Sequence, residues 1–144
     1  MQRFARTLGA MGSLKIARAY DVRDGSADSA DTADTAAHYL VDRLWPRGVR
    51  KDDLPLAGWP KELTPSPHLR TDFHSGALDW DQFGDAYRAE LDERHSDGEL
   101  DDILAELQNA LAEGDVLLLF AGKDTDHTHA KVLQGWLEDN LNRD

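Results

Sequence analysis

The feature that most constrains the fold is an apolar run that ends abruptly in charged residues. The run extends from Val116 to Ala121, and Lys123, Asp124, His127 and His129 follow it closely. A short run that is apolar at every position is typical of a strand buried on both faces, as in parallel sheets covered by helices. A helical pattern follows, so the sequence predicts a strand, a loop and a helix. Ligand sites of open α/β sheets lie in such loops.

Periodicity and helix-start signals predict the other elements of the domain. We predict a strand at Lys15–Tyr20, a second and central strand at His38–Trp45, helices that begin after Ser66, Asp79 and Ser96, and a last helix over Asp126–Leu141. The chain of 144 residues is long enough for one domain with a real core and too short for two ordinary ones. The predicted fold is therefore a three-layer single α/β domain over residues 14–142, with a short, mainly parallel sheet flanked by helices.

Two further segments are predicted to stay outside this core. Residues 1–13 show no sustained period, and we expect them to form a disordered N-terminal extension. Residues 26–36 repeat a tandem pattern of Ser or Thr, Ala and Asp without a large apolar side chain. Nothing in such a segment offsets the entropy of ordering it. We therefore expect a mobile acidic loop at about residues 23–37.

Composition excludes several classes of function. The formal net charge of −12 argues against a general affinity for nucleic acid or anionic lipid. The absence of cysteine from the sequence removes disulfides, thiolate nucleophiles and cysteine-based metal sites. No apolar run approaches the length that spans a membrane. We expect a cytoplasmic protein that binds neither membranes nor nucleic acid, and the oligomeric state is left open.

Basic residues gather at the predicted strand ends of this acidic chain. Arg43 and Arg47 surround the exit of the second strand, and Lys123 follows the apolar run. These side chains can converge on a small anion, such as phosphate or carboxylate, near the start of the last helix. The alternative is that they form ion pairs with Asp42 and Asp124. The pattern is not a P-loop, because the glycine spacing is wrong and an aspartate follows the lysine.

Three residues of the same two segments are candidates for proton transfer. Asp42, Asp124 and His127 can handle protons or water near neutral pH. His129 and Tyr20 are candidates for ligand contacts at the rim. The alternative is that one histidine caps the helix and the other is solvated. Because the two histidines are two positions apart, they point in different directions on a helix, and we expect no metal and no other cofactor.

Three aromatic residues near the second strand have two interpretations. Tyr39, Trp45 and Trp59 can wall a pocket and stack on a planar ligand. Most aromatic residues at such spacing pack in a core. Core packing is the favoured interpretation.

Several ordered blocks along the chain form a specific set. The blocks are Leu40–Gly48, Trp59 with Lys61, Pro65-Ser66 with Leu69-Arg70, Trp80 with Phe83 and Tyr87, and Ala121–Asp124 with His127, His129 and Ala130. This set resembles the domain-of-unknown-function family numbered 488, in its YeaO-like branch, and Thr128 departs from the family pattern, which has Asn there. The resemblance implies a compact α/β domain in a small bacterial or archaeal cytoplasmic protein, and it implies no established activity.

Two functional hypotheses arise from these residues. The leading one is an enzyme that acts on a phosphorylated or nucleotide-like small anion, held in a pocket between residues 42–48 and 121–129. The alternative is a non-catalytic module that binds an anion or regulates. A DNA-binding regulator is the weakest option, because no helix-turn-helix with a basic recognition helix is found.

Overall fold

The computed structural model describes residues 12–24 and 37–141. Its regular elements, in chain order, are β1 (Leu14–Arg18), α1 (Ala19–Asp24), β2 (Ala37–Leu40), α2 (Pro67–His74), α3 (Trp80–Ser96), α4 (Asp101–Glu113), β3 (Val116–Phe120) and α5 (His129–Leu141). The predictions for residues 1–11 and 25–36, which cover most of the extension and of the acidic loop, lie outside the described residues. Within the described ranges, no helix is long and apolar enough to cross a membrane.

The three described strands form one parallel sheet in the order β1-β3-β2. β3 is the central strand, and all five of its residues are buried. An apolar side chain at every position is what a strand with two covered faces requires. The prediction of a strand buried on both faces at the apolar run is confirmed, and so is the α/β fold class.

The sheet separates two apolar cores, and alternate residues of each strand point into different ones. Tyr39 packs in the larger core with Leu118, while Leu40 packs in the smaller core with Leu119. The larger core is completed by α3, α4 and α5, and we call this side of the sheet the helix face. The smaller core is completed by α1 and by residues 45–59, and we call this side the loop face.

The first strand is shorter than predicted. It ends at Arg18, and helix α1 follows directly, so Tyr20 lies in α1 and not at the end of a strand. The burial of Ala19 in the smaller core explains the turn of the chain at this point, because the small side chain lets α1 pack closely on the loop face.

The second strand also differs from its prediction, both in length and in place. β2 ends at Leu40 and lies at the edge of the sheet, so the expected central strand over 38–45 is wrong. The backbone N–H of Val41 still donates to the carbonyl of Leu119, at 2.9 Å. After that residue, a carboxylate oxygen of Asp42 accepts the N–H of Ala121 at 2.9 Å, and a side chain therefore replaces the backbone partner. The ladder ends there.

Two of the predicted helix starts are confirmed and one is wrong. The Ser66 hydroxyl accepts the N–H of the third helical residue of α2, and Asp79 forms a capping box at the start of α3. Ser96 does not start a helix, because it belongs to the last turn of α3. The chain reverses at Gly98, whose φ of 83° favours glycine, and α4 begins at Asp101.

Polar contacts from α3 hold the segment of residues 61–66 that leads into α2. The hydroxyl of the buried Tyr87 donates to the carbonyl of Leu63. Arg94 donates to two further carbonyl oxygens of the segment, both at 2.8 Å. The carboxylate of Glu90 accepts the backbone N–H of Ser66 at 3.0 Å and its hydroxyl at 2.6 Å. These contacts fix the position of α2 relative to the core.

Removal of the buried hydroxyl tests how much this anchoring contributes to stability. We expect Tyr87→Phe to lower the free energy of unfolding by about 1–3 kcal/mol, because the carbonyl of Leu63 loses its partner inside the core. Tyr20→Phe is the matched control, since it removes an exposed hydrogen bond to the carbonyl of Arg47, which water can replace. Urea unfolding measures both variants. Equal losses in the two variants would contradict the role of burial.

Candidate functional site

A cavity of about 680 Å³ lies at the carboxyl edge of the sheet. Its lining comes from α1 and residues 42–47, from α2 and the start of α3, and from the loop of residues 121–129. The volume is within the range of small-molecule sites. Since parallel strands end at the same edge, the loops that follow β2 and β3 meet there.

The side chains proposed from the sequence all border this cavity. They are Tyr20, Asp42, Arg43, Arg47, Lys123, Asp124, His127 and His129. The structure thus brings both predicted halves of the site together. The catalytic and ligand-binding roles of these residues stay predictions.

Sequence reasoning missed two ionisable residues of the cavity. Arg70 and His74 lie one turn apart on α2, and both line the cavity. Because positions four apart share one face of a helix, the spacing was a usable signal. The prediction of this helix rested on its N-cap, Ser66, which carries no information about the polar face.

Only one of the three aromatic residues considered for the pocket wall borders the cavity, namely Trp45. Tyr39 is buried, and its hydroxyl donates to Glu106 at 2.9 Å. Burial, and then this hydrogen bond, raise the pKa of Tyr39 to about 12. Trp59 donates to the backbone carbonyl of Asp42 at 2.7 Å, behind the cavity lining. The helix wall carries three other aromatic side chains, namely Phe73, Trp80 and Phe83.

Asp42 and His129 form the floor of the cavity. Nε2 of His129 lies 2.8 Å from the carbonyl oxygen of Val41 and 3.0 Å from Oδ1 of Asp42. A carbonyl oxygen only accepts hydrogen bonds, so we infer that Nε2 carries a hydrogen and donates to Val41. That direction explains why the buried Oδ1 has a close neighbour but no hydrogen bond. The other oxygen of Asp42 accepts from Ala121, so the pair joins β2, β3 and α5.

Asp124 and His127 lie in the loop before α5. Oδ1 of Asp124 accepts the backbone N–H groups of Asp126 and His127, both at 2.9 Å. These hydrogen bonds favour the carboxylate and lower the pKa of Asp124. Oδ2 lies 3.6 Å from Nδ1 of His127, whose ring centroid is 4.9 Å from that of Trp80.

This turn explains why α5 begins later than predicted. Residues 124–127 close on the carboxylate of Asp124, and the helix starts at His129 instead of Asp126. The hydroxyl of the buried Thr128 accepts the N–H of Ala130 at 3.3 Å, so this side chain caps the helix. Threonine at the position of the family's asparagine therefore has a structural role here.

Four basic side chains line the cavity, namely Arg43, Arg47, Arg70 and Lys123. The alternative of ion pairing with the cavity's two aspartates does not hold, because both carboxylates lie beside histidines. Among the described residues, no carboxylate lies within ion-pair distance of any of the four cations. The guanidinium of Arg43 makes one long hydrogen bond, at 3.4 Å to the carbonyl of Pro65, and its buried Nε has no partner.

Arg18, at the end of β1, and Tyr20, in α1, fasten both loops to the sheet. Nε and Nη2 of Arg18 donate to the carbonyls of Gly122 and Ala121, at 2.9 and 3.2 Å. The same guanidinium lies over the ring of Tyr20, 5.3 Å from its centroid. The Tyr20 hydroxyl donates to the carbonyl of Arg47 at 2.8 Å. The rim on the loop face is therefore built on the end of β1.

The histidines of the cavity serve different contacts. His127 lies against Trp80 and near Asp124, while His129 donates at the floor. In the described part of the chain, no three His, Asp or Glu side chains are grouped to hold a metal ion. The expectation of no metal stays a prediction.

Replacement of the floor carboxylate tests the contact with His129. In Asp42→Asn, the amide oxygen can still accept from Ala121, but the amide nitrogen then faces Nε2–H of His129, and two donors meet. We expect a loss of about 1–3 kcal/mol in the free energy of unfolding, measured with urea. The same substitution in a His129→Ala background should cost less. Equal costs in both backgrounds would exclude the donor conflict.

Titration of Asp124 tests the turn before α5. Its folded pKa lies below the ordinary 3.8, so the turn is fully formed above that pH and is lost as the pH falls through the lower value. NMR of the carboxyl carbon, and of the amides of Asp126 and His127, should show a common midpoint below 3.8. Asp124→Asn, which accepts without titrating, should lack the amide transition. A midpoint at or above the ordinary value would be incompatible with the turn.

Comparison with known proteins places this chain in a family. The model of the inactive DUF488-N3 subclade, DUF488-N3i, matches residues 15–144. The uncharacterised protein YeaO of Escherichia coli strain K12 is 42% identical over 98 residues, which are 68% of this chain and 80% of YeaO. The uncharacterised protein Rv3073c of Mycobacterium tuberculosis strain H37Rv is 35% identical over 94 residues, 65% of this chain and 74% of that protein. No solved structure matches the chain. The chain therefore belongs to the YeaO-like DUF488 proteins, in the subclade described as inactive.

Proposed function

We propose that the protein is a non-catalytic receptor for a small phosphorylated anion, which binds in the cavity between residues 42–47 and 121–129. One observation carries the proposal: four basic side chains line the cavity, while its two carboxylates lie beside histidines. A cavity whose lining has an excess of one sign of charge concentrates ligands of the opposite sign. Because the chain as a whole carries a formal net charge of −12, four basic side chains at one cavity are a local exception to its composition.

The state of Arg43 supports an oxyanion as the ligand. Its side chain is half-buried and lies at the cavity lining, with one long hydrogen bond and a buried Nε that has no partner. A buried donor without a partner costs free energy, and an anionic oxygen would relieve that cost. Guanidinium groups match the oxygens of phosphate and carboxylate through paired N–H donors. Phosphate has more oxygens than carboxylate and can therefore accept hydrogen bonds from more N–H donors at once.

The acid–base groups of the cavity support binding without turnover. Asp42 and His129 are engaged at the floor, and Asp124 accepts two backbone N–H groups with a lowered pKa. A carboxylate with a low pKa is a weak base at neutral pH. The match to a subclade described as inactive supports the same choice. The alternative, an enzyme acting on a phosphorylated or nucleotide-like anion, would have to rely on His127.

Calorimetry with hexyl phosphate, inorganic phosphate and acetate tests the binding site. We expect hexyl phosphate to bind, and two double variants, Arg43→Gln with Lys123→Gln and Arg43→Gln with Arg47→Gln, to weaken it about tenfold, because each removes a charge-assisted contact on both sides of the cavity. Arg88→Gln is the matched control: this half-exposed arginine on α3 lies 3.6 Å from Asp139 and does not line the cavity. If the cavity variants bind like the control, or if no anion binds, the proposal is wrong.

Turnover is tested in the same samples by phosphorus NMR. We expect hexyl phosphate to stay intact during a long incubation with the protein. Hydrolysis that disappears in His127→Ala would establish the enzyme hypothesis in place of ours.

A further inference from the structure

We infer that the ligand of this cavity carries two separated anionic groups, one bound on each wall. The inference rests on the proposed function and specifies the class of ligand. It depends on how the four cations are distributed. Two of them belong to the helix face and two to the loop face.

The first pair, on the helix face, consists of Arg43 and Arg70. The guanidinium of Arg43 reaches the carbonyl of Pro65, which directly precedes Ser66, the N-cap of α2. Arg70 follows within the same helix and lines the cavity. Because α3 holds residues 61–66 through buried and half-buried hydrogen bonds, the segment that contacts Arg43 and leads into the helix of Arg70 is tied to the helix face.

The second pair, on the loop face, consists of Arg47 and Lys123. The carbonyl of Arg47 accepts from Tyr20, which packs in the core of the loop face. Lys123 follows Gly122, whose carbonyl accepts a hydrogen bond from Arg18. The guanidinium of Arg18 in turn lies over the ring of Tyr20. Both side chains are exposed, so their ammonium and guanidinium groups are available to a ligand at the rim.

The floor of the cavity carries a negative charge. It carries the carboxylate of Asp42, which is bonded to Ala121 at the end of the central strand, and its side chain is 18% exposed. An anion at the centre of the cavity would lie over this negative charge, which disfavours it. The cavity of about 680 Å³ is also much larger than a single phosphate needs. A ligand with two anionic groups joined by a neutral linker can contact the basic side chains of both walls. Its charges then stay away from the carboxylate of Asp42.

A ligand of this kind gains affinity from its second group. Once one phosphate is bound, the other is held near its own wall at a high effective concentration. We expect hexanediol bisphosphate to bind about 100-fold more tightly than hexyl phosphate. Pyrophosphate is the control for charge, because its two phosphoryl groups are adjacent and cannot reach both walls. Its affinity should stay close to that of hexyl phosphate.

Variants of each wall give the decisive test, by calorimetry on the full chain. Arg70→Gln removes a cation of the helix face, and Arg47→Gln removes one of the loop face. Each should lower the affinity for hexanediol bisphosphate at least tenfold, but that for hexyl phosphate only about twofold, because the other wall still binds one phosphate. Lys123→Gln repeats the test of the loop face. Arg88→Gln should leave both affinities unchanged, and circular dichroism with urea unfolding verifies that each variant is folded.

The outcomes separate the inference from the proposed function. If pyrophosphate binds as tightly as hexanediol bisphosphate, the two-wall arrangement is wrong and anion binding stands. If the wall variants weaken both hexyl phosphate and its bisphosphate counterpart equally, the same conclusion holds. If no phosphate compound binds, the inference and the proposed function fall together.

Discussion

The pairing of β3 with a parallel strand on each side is the constraint on which the rest of this structure depends. Val116–Phe120 is buried along its whole length and hydrogen bonded to both β1 and β2. Two covered faces require apolar side chains at every position, and the chain supplies them. Parallel pairing then brings the carboxyl ends of three strands to one edge. The segments that leave these strands, namely α1 and the loops of residues 41–50 and 121–128, therefore share that edge.

At this edge, acidic side chains stabilise the backbone, which leaves the cavity's cations unpaired among the described residues. Asp42 ends the ladder by accepting a backbone N–H, and Asp124 closes the turn before α5 in the same way. Charge-assisted hydrogen bonds of this type are stronger than neutral ones. A carboxylate committed to backbone donors is a poor partner for a nearby arginine. The positive character of the cavity is therefore a consequence of how its two loops are built.

The sequence predicted the buried strand at the apolar run, two helix caps and the meeting of two loops, because each depends on local pattern or on the geometry of parallel strands. It did not predict that β2 is an edge strand. Residues 38–45 are rich in β-favouring side chains, and this composition does not reveal that the side chain of Asp42 takes over from the ladder. The turn at Asp124 was missed for a similar reason, since a short-range carboxylate contact competes with helix propensity. Arg70 was missed because the prediction of α2 rested on its N-cap.

Residues of both faces line the cavity, so a bound ligand would stabilise one face against the other. The larger core includes three long helices, whereas the smaller one rests on α1 and an irregular connection. The loop face reaches the rim through few hydrogen bonds, chiefly those of Arg18 and Tyr20. A ligand held by cations of both faces would add a further contact between them. A ligand that binds only the folded state increases the free energy of unfolding. We expect this stabilisation to be largest in the loops that the ligand contacts.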